Sequence, residues 1–247
     1  MTVAAVDSSQ EVNQIMSEGR KVNPYAVFNK YVEAIGGDYN LENDRNYKIE
    51  GEIQVEDKRY SYVEKGIKPF KSRIDYYQED QKIYSSGDNG IYIWTQNGSK
   101  VTKFPDVSAE RQLQEARSEH DYMNENSMIF DIESAKKTYD EGREVYEIKV
   151  SNKINDEIDV YFIDAENFML NKHKSIENNR EKVTTYEDYR DIGGLKKAHQ
   201  IEIKDFSTMI FKKKEISSYQ RNIMMDEEQF DPPEEEDNLL NIKDNYS

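Results

Sequence analysis

Apolar and polar residues alternate with period two along most of this chain. The alternation is cleanest from Tyr47 to Val55, where Tyr47, Ile49, Ile53 and Val55 are spaced by Lys48, Glu50, Glu52 and Gln54. That pattern predicts a strand with one face in a core and the other in water. Further strands are predicted at Arg59–Glu64, Lys71–Tyr77, Lys82–Ser85, Ile91–Gln96 and Lys100–Phe104. Asp88-Asn89-Gly90 and Asn97-Gly98 are hairpin signals, so these strands should form an up-and-down meander. A second meander follows. Tyr146, Ile148 and Val150 alternate with charges, and Val160–Asp164 runs through a polar turn at Asp164–Asn167 into Phe168–Ser175. Glu181–Arg190, Leu195–Asp205 and a final strand over Phe206–Arg221 complete it, with Gly193-Gly194 supplying a sharp turn that a Cβ would hinder.

Helical spacing breaks this rhythm in two places. Asn23-Pro24 is a helix start, with Asn as the cap and Pro in the first turn. Val27, Phe28, Tyr31, Val32 and Ile35 share one face, and Gly36-Gly37 marks the stop. A second helix is predicted from Val107 to about Asp121, with Ala109, Leu113 and Ala116 on one side. Asn124–Lys137 reads equally as a short helix or as a strand. The fold class expected is mainly β (α+β): a half-open antiparallel β-barrel of about eleven strands capped by helices. Residues 1–22 read as a flexible leader, 23–225 as a single domain and 226–247 as an acidic tail.

Composition sharpens this picture. Charged residues make up 34% of the 247 positions, and mean hydropathy is −1.00, so the core is thin relative to the surface. Eighteen Tyr against nine Phe and one Trp carry the aromatic content, and tyrosine suits a half-buried pleated surface. The net charge is −16, and residues 226–247 hold nine carboxylates and one lysine, so half of it lies in the tail. Such acidity repels nucleic acid and anionic headgroups, and Lys212–Lys214 is too short a basic run to reverse that. No nucleic-acid partner is expected. No apolar run is long enough to span a bilayer, and the N-terminus lacks the basic start and apolar core of a signal peptide.

Little in the sequence points to catalysis. Cysteine is absent, which excludes thiol nucleophiles and thiolate metal sites. His120, His173 and His199 lie far apart and read as surface or turn residues, without metal-ligand spacing, and His199, just before the Ile201 and Ile203 alternation, reads as a packing residue at a strand start. Ser134-Ala135-Lys136-Lys137 spells SxxK, but no companion motif of that enzyme class accompanies it. No enzyme, cofactor or metal is expected; the tail reads as a solvated acidic end or as a docking segment for a basic partner surface, and it lacks the EF-hand spacing that ordered calcium binding needs.

The strand faces instead point to binding. The inward positions are read as Tyr47, Ile49, Ile53, Val55, Tyr92, Trp94, Phe162, Phe168, Leu170, Ile201 and Ile203. They can pack against the capping helix as ordinary core, or a subset can line a cavity for an apolar ligand.

The wording of the chain is also suggestive. FNKYVEAIGG opens it, WTQNGSKVTKFP leads into the second helix, DVYFIDAENFMLNKHKS follows EVYEIKV, and TTYEDYRDIGGLKKAHQIEI closes the core. From about Pro24 to Phe230 this resembles the lipoprotein-carrier (LolA/LolB-like) superfamily, particularly outer-membrane lipoprotein-sorting-type members from the Bacteroidetes. The resemblance implies an unclosed barrel whose hydrophobic inner side receives acyl chains. It also implies a place in the periplasm or at the outer membrane, and a lipid or lipoprotein acyl chain as partner. The chain departs from that pattern in its lack of a lipobox Cys, its Tyr-rich lining and its acidic tail. A scaffolding subunit that holds an envelope protein partner on the same fold is the other reading. In the carrier reading, displacement of the capping helix gates entry.

Overall fold

The computed structural model describes residues 19–104, 113, 115–117, 120–155, 157–178 and 180–234. In chain order its elements are β1 (Arg20–Lys21), α1 (Pro24–Ile35), α2 (Asp38–Glu42), β2 (Asn46–Val55), β3 (Lys58–Ile67), β4 (Lys71–Gln78), β5 (Gln81–Asp88), β6 (Ile93–Asn97) and β7 (Lys100–Phe104). Then come β8 (Phe130–Asp140), β9 (Arg143–Asn152), β10 (Ile158–Asp164), β11 (Leu170–Glu177), β12 (Arg180–Ile192), β13 (Leu195–Asp205) and β14 (Ile210–Arg221). A 3-10 turn at Glu227–Phe230 follows.

All fourteen strands form one antiparallel sheet in the order β1-β8-β9-β10-β11-β12-β13-β14-β2-β3-β4-β5-β6-β7. The two meanders are joined where β14 pairs with β2, from Lys212 against Val55 to Arg221 against Tyr47. The sheet is not closed: β1 and β7 are its edges. It is the curved half-barrel expected, with more strands than the alternation alone marks out. Phe130–Asp140, inside the stretch readable as helix or strand, is a strand, with a bulge between Ile132 and Ser134 that interrupts its alternation. Arg20–Lys21, in the stretch read as leader, pairs with Lys136 and Lys137. The last strand starts at Ile210 rather than Phe206, because Asp205 accepts hydrogen bonds from the backbone of Ser207 and Thr208 and so closes a turn there.

Helix α1 follows its sequence signals. Asn23 Oδ1 accepts from the amides of Tyr25 and Ala26 at 3.0 and 3.3 Å, and Pro24 loses no needed donor in the first turn. Val27, Phe28, Val32 and Ile35 form its buried stripe. At its far end Gly36 (φ 131°) touches the β12–β13 turn backbone to backbone: a Cβ there would sit 1.9 Å from the carbonyl oxygen of Gly194. Of the second predicted helix, Leu113 and Glu115–Arg117 are described and helical, and Leu113 and Ala116 are buried as expected. At its predicted end His120 is in a left-handed turn and Asp121 opens a 3-10 turn, so the helix stops short of them; the rest of it, Ala109 included, lies outside the described residues, as do residues 1–18 and 235–247.

Candidate functional site

The pleat assigns each strand residue to one of two faces. Registers carry the face that bears α1 from Tyr161 through His173, Thr184, Ile203 and Lys212 to Val55. This inner face divides into two halves.

The half built from β8 to β11 is filled. Val27 and Phe28 of α1, with Leu113 and Ala116, pack on Phe130, Ile148, Val150, Tyr161 and Ile163. Tyr122 stacks on Tyr161 with centroids 4.9 Å apart, and Tyr161 stacks on His173 at the same separation. Beside the stack lies a buried charge network. Arg117 donates to Glu157 at 2.7 Å and to Asp159 at 2.9 Å; His173 Nε2 lies 2.7 Å from the other Asp159 oxygen, and Ser175 donates to Glu157. Burial would raise the Asp159 carboxyl, but the contacts from His173 and Arg117 outweigh it and hold the group below the ordinary carboxylate range. His173 is thus a network residue rather than a surface one, and His199, with 3% exposure, is packed within β13, in keeping with the packing role expected of it. His120 sits in a turn as expected. Its imidazole is lowered to about 4, by burial first and then by Lys68 and Lys197.

The other half, from β13 through β14 and β2 to β5, is lined differently. Ile49, Ile53, Tyr62 and Ile216 are buried, and Tyr47, Val55, Tyr60, Ile74, Tyr76, Ile201 and Tyr219 pack on them; no helical side chain belongs to this group. A charge pair crosses it, Lys214 Nζ to Glu64 at 3.0 Å, with the Tyr47 hydroxyl donating to Glu64 at 3.3 Å. Lys214 also lies 5.0 Å over the ring of Tyr62, whose buried hydroxyl has no hydrogen-bond partner among the described residues. Burial, then Glu64, pushes Tyr76 up to about 12, so these phenols stay protonated and neutral. A 370 Å³ depression opens here beside Glu64, Ile74, Ser86, Ile93 and Lys214.

Between the halves, under α1 and α2, lies a cavity of about 530 Å³. Phe28, Val32, Leu41, Ile67 and Met123 supply apolar walls, and Asp44, Arg45, Lys68, His120 and Asn124 supply polar ones. Asp44, 4% exposed, is held by Lys197 at 2.7 Å and Arg221 at 3.1 Å, with Lys68 at 3.8 Å. Its size is that of a small-molecule pocket.

The ten principal sequence candidates do not converge. Tyr47, Ile49, Ile53 and Ile201 meet in the tyrosine-rich half, and Ile203 lies on the same face opposite Thr184 and Lys212. Phe168 and Leu170 flank the filled half, Phe168 stacked 5.7 Å from Tyr146. Phe162 faces the other way, grouped with Val145 and Val160 under the ammonium groups of Lys172 and Lys174. Trp94 also lies on the outer face, where its Nε1 donates 2.8 Å to the carbonyl of Phe230. Tyr92, in the turn before β6, lies under Lys103. The residues missed are Tyr60, Tyr62, Tyr76 and Tyr219 and the Glu64–Lys214 pair. Extending the period of Tyr60 and Tyr62 to Glu64 would have found the first two and the carboxylate.

Among the described residues, no group of three or more His, Asp or Glu could hold a metal ion, and no helix is long and apolar enough to cross a membrane. The architecture is that of an open half-barrel with helices over its inner side. Solved structures of that class superpose on it. A DUF1329 family protein from Desulfovibrio piger does so with a TM-score of 0.56 at 13% identity, over 85% of this chain and 98% of that one. A LolA superfamily protein from Nitrosomonas europaea gives 0.55 at 11% identity, over 85% and 98%. A putative outer membrane lipoprotein-sorting protein domain from Vibrio parahaemolyticus gives 0.55 at 11%, over 87% and 97%. The sequence itself matches no protein-family model and no curated protein. The fold is therefore LolA-like.

Proposed function

We propose that this chain is a non-enzymatic, carrier-like protein of the bacterial envelope, periplasmic or outer-membrane-associated, that binds an acyl chain, a lipid or an acylated segment of a lipoprotein. The observation that carries this reading is the 530 Å³ cavity under α1 and α2, whose lining combines apolar and charged side chains. An amphiphile fits such a lining. Its alkyl part gains roughly 0.8 kcal/mol per methylene buried against Phe28, Val32, Leu41 and Ile67. Its polar end meets Arg45, Lys68 and Asn124. The lipoprotein-sorting domain among the fold neighbours supports the same class of ligand. Displacement of α1 admits the ligand.

A second reading has its own support. The Glu64–Lys214 pair and the tyrosine hydroxyls suit a polar protein segment better than a bare alkyl chain, as a scaffolding subunit would require. Native mass spectrometry of protein from its own host, followed by organic extraction, separates the two. The carrier reading expects an extractable acyl adduct. Adduct-free protein with a stoichiometric protein partner would overturn it in favour of the scaffold.

A further inference from the structure

The acidic C-terminal segment does not simply leave the domain. Across the outer face of β3 to β6, residues 227–231 are seated in a groove whose walls recognise them by type. Phe230 is completely buried, and its carbonyl accepts from Trp94 Nε1. The carbonyl of Gln229 accepts from Arg73 Nη1 at 2.9 Å, and its side chain accepts from Lys65 at 2.7 Å. At the two ends, Glu227 pairs with Lys71, and Asp231 accepts from Asn89 at 2.8 Å. The groove thus reads a backbone in two places, an aromatic side chain in one and an acid at either end.

Its walls are built without the segment. Arg73 is fixed by a two-pronged bond to Asp75, itself held by Ser85 of the next strand. Trp94 lies flat over Gly87, where an added Cβ would meet its ring at 2.7 Å. The link from β14 to the segment includes Met224, which is fully exposed. The segment therefore resembles a ligand on a tether more than a strand of the sheet.

We propose that this outer groove is a peptide-binding site for short acidic segments with one aromatic anchor, and that the chain's own residues 227–231 are its resident ligand. The tether gives them an effective concentration that a free peptide meets only at millimolar levels. The test therefore removes the anchor from the full-length protein. In Phe230→Ala, emission from Trp94, the sole tryptophan, should shift to longer wavelength while far-ultraviolet dichroism keeps its strand signal. A synthetic peptide of residues 226–234 should return the emission saturably, and the same peptide with alanine in place of Phe should not. Unchanged emission in the variant, or no saturable return, overturns the proposal. Should Phe230→Ala not fold, hydrogen exchange of the unmodified protein decides. Amides of residues 228–231 should exchange at least tenfold faster than those of β4 and β5, because a ligand can leave without the sheet. Equal protection would make the segment an inseparable part of the domain and overturn the proposal.

Discussion

The two halves of the inner face share one sheet and one pleat, yet they are finished in different ways. The β8–β11 half is closed by helical side chains, and its buried charges are mutually satisfied by Arg117, Asp159, Glu157 and His173. Among the described residues, no helical side chain belongs to the apolar group of the half from β13 to β5, which is faced with tyrosines around the Glu64–Lys214 pair. Filling one half gives the domain its core. Facing the other with rings and hydroxyls leaves a surface that can exchange contacts, with the amphipathic cavity at the junction.

The largest effect should come from emptying the filled half. Phe28→Ala removes a side chain that is 1% exposed and should lower the stability by about 3–5 kcal/mol, read by urea denaturation. A loss below 1 kcal/mol would mean that α1 is not part of the core. Arg117→Met should cost about 2 kcal/mol, less than for a fully buried pair because the arginine is a third exposed. It also changes the acid response. The Asp159 carboxyl is depressed in the folded state, so its contribution is present above the unfolded value near 3.9 and fades as pH falls further. In Arg117→Met, that loss below pH 4 should shrink.

At the junction, Leu41→Trp should occupy the cavity and reduce any acyl adduct severalfold while leaving the denaturation midpoint nearly unmoved. An undiminished adduct would place the ligand elsewhere. His120 gives the cavity a pH signature of its own. Its folded value near 4 lies below the unfolded one, so the unfolded chain binds more protons in between. Stability should therefore fall as pH drops from about 6.5 toward 4, and His120→Gln should flatten that window. The smallest effect belongs to the tyrosine-rich half. Tyr62→Phe deletes a hydroxyl with no partner and should change stability by less than about 1 kcal/mol, in either direction. A large loss would reveal a hidden bond.

The sequence made the fold legible wherever one strand face is wet. Tyr47–Val55 and Leu195–Asp205 alternate and were readable, and Asn23-Pro24 with Gly36-Gly37 bounded α1. It failed where both faces are buried. Val160–Ile163 is apolar throughout, so period two cannot tell Tyr161, which faces the helix, from Phe162, which faces away. Trp94 misled for a related reason: the outer face is dry at that point because Phe230, 136 positions along the chain, covers it. The Arg117–Asp159–His173 network was illegible because Arg117 comes from 42 positions before Asp159, and strand alternation does not encode charge partners.

An open sheet carries a cost that a closed barrel does not, since its edges can template the addition of another chain. Here both edges bear lysines. β7 runs for five residues with Lys100 and Lys103, and on the other side the two residues of β1 cover β8 at Lys136 and Lys137. Stacking copies edge to edge would bring like charges together at both margins. Those lysines oppose edge-to-edge stacking of a sheet that is left unclosed.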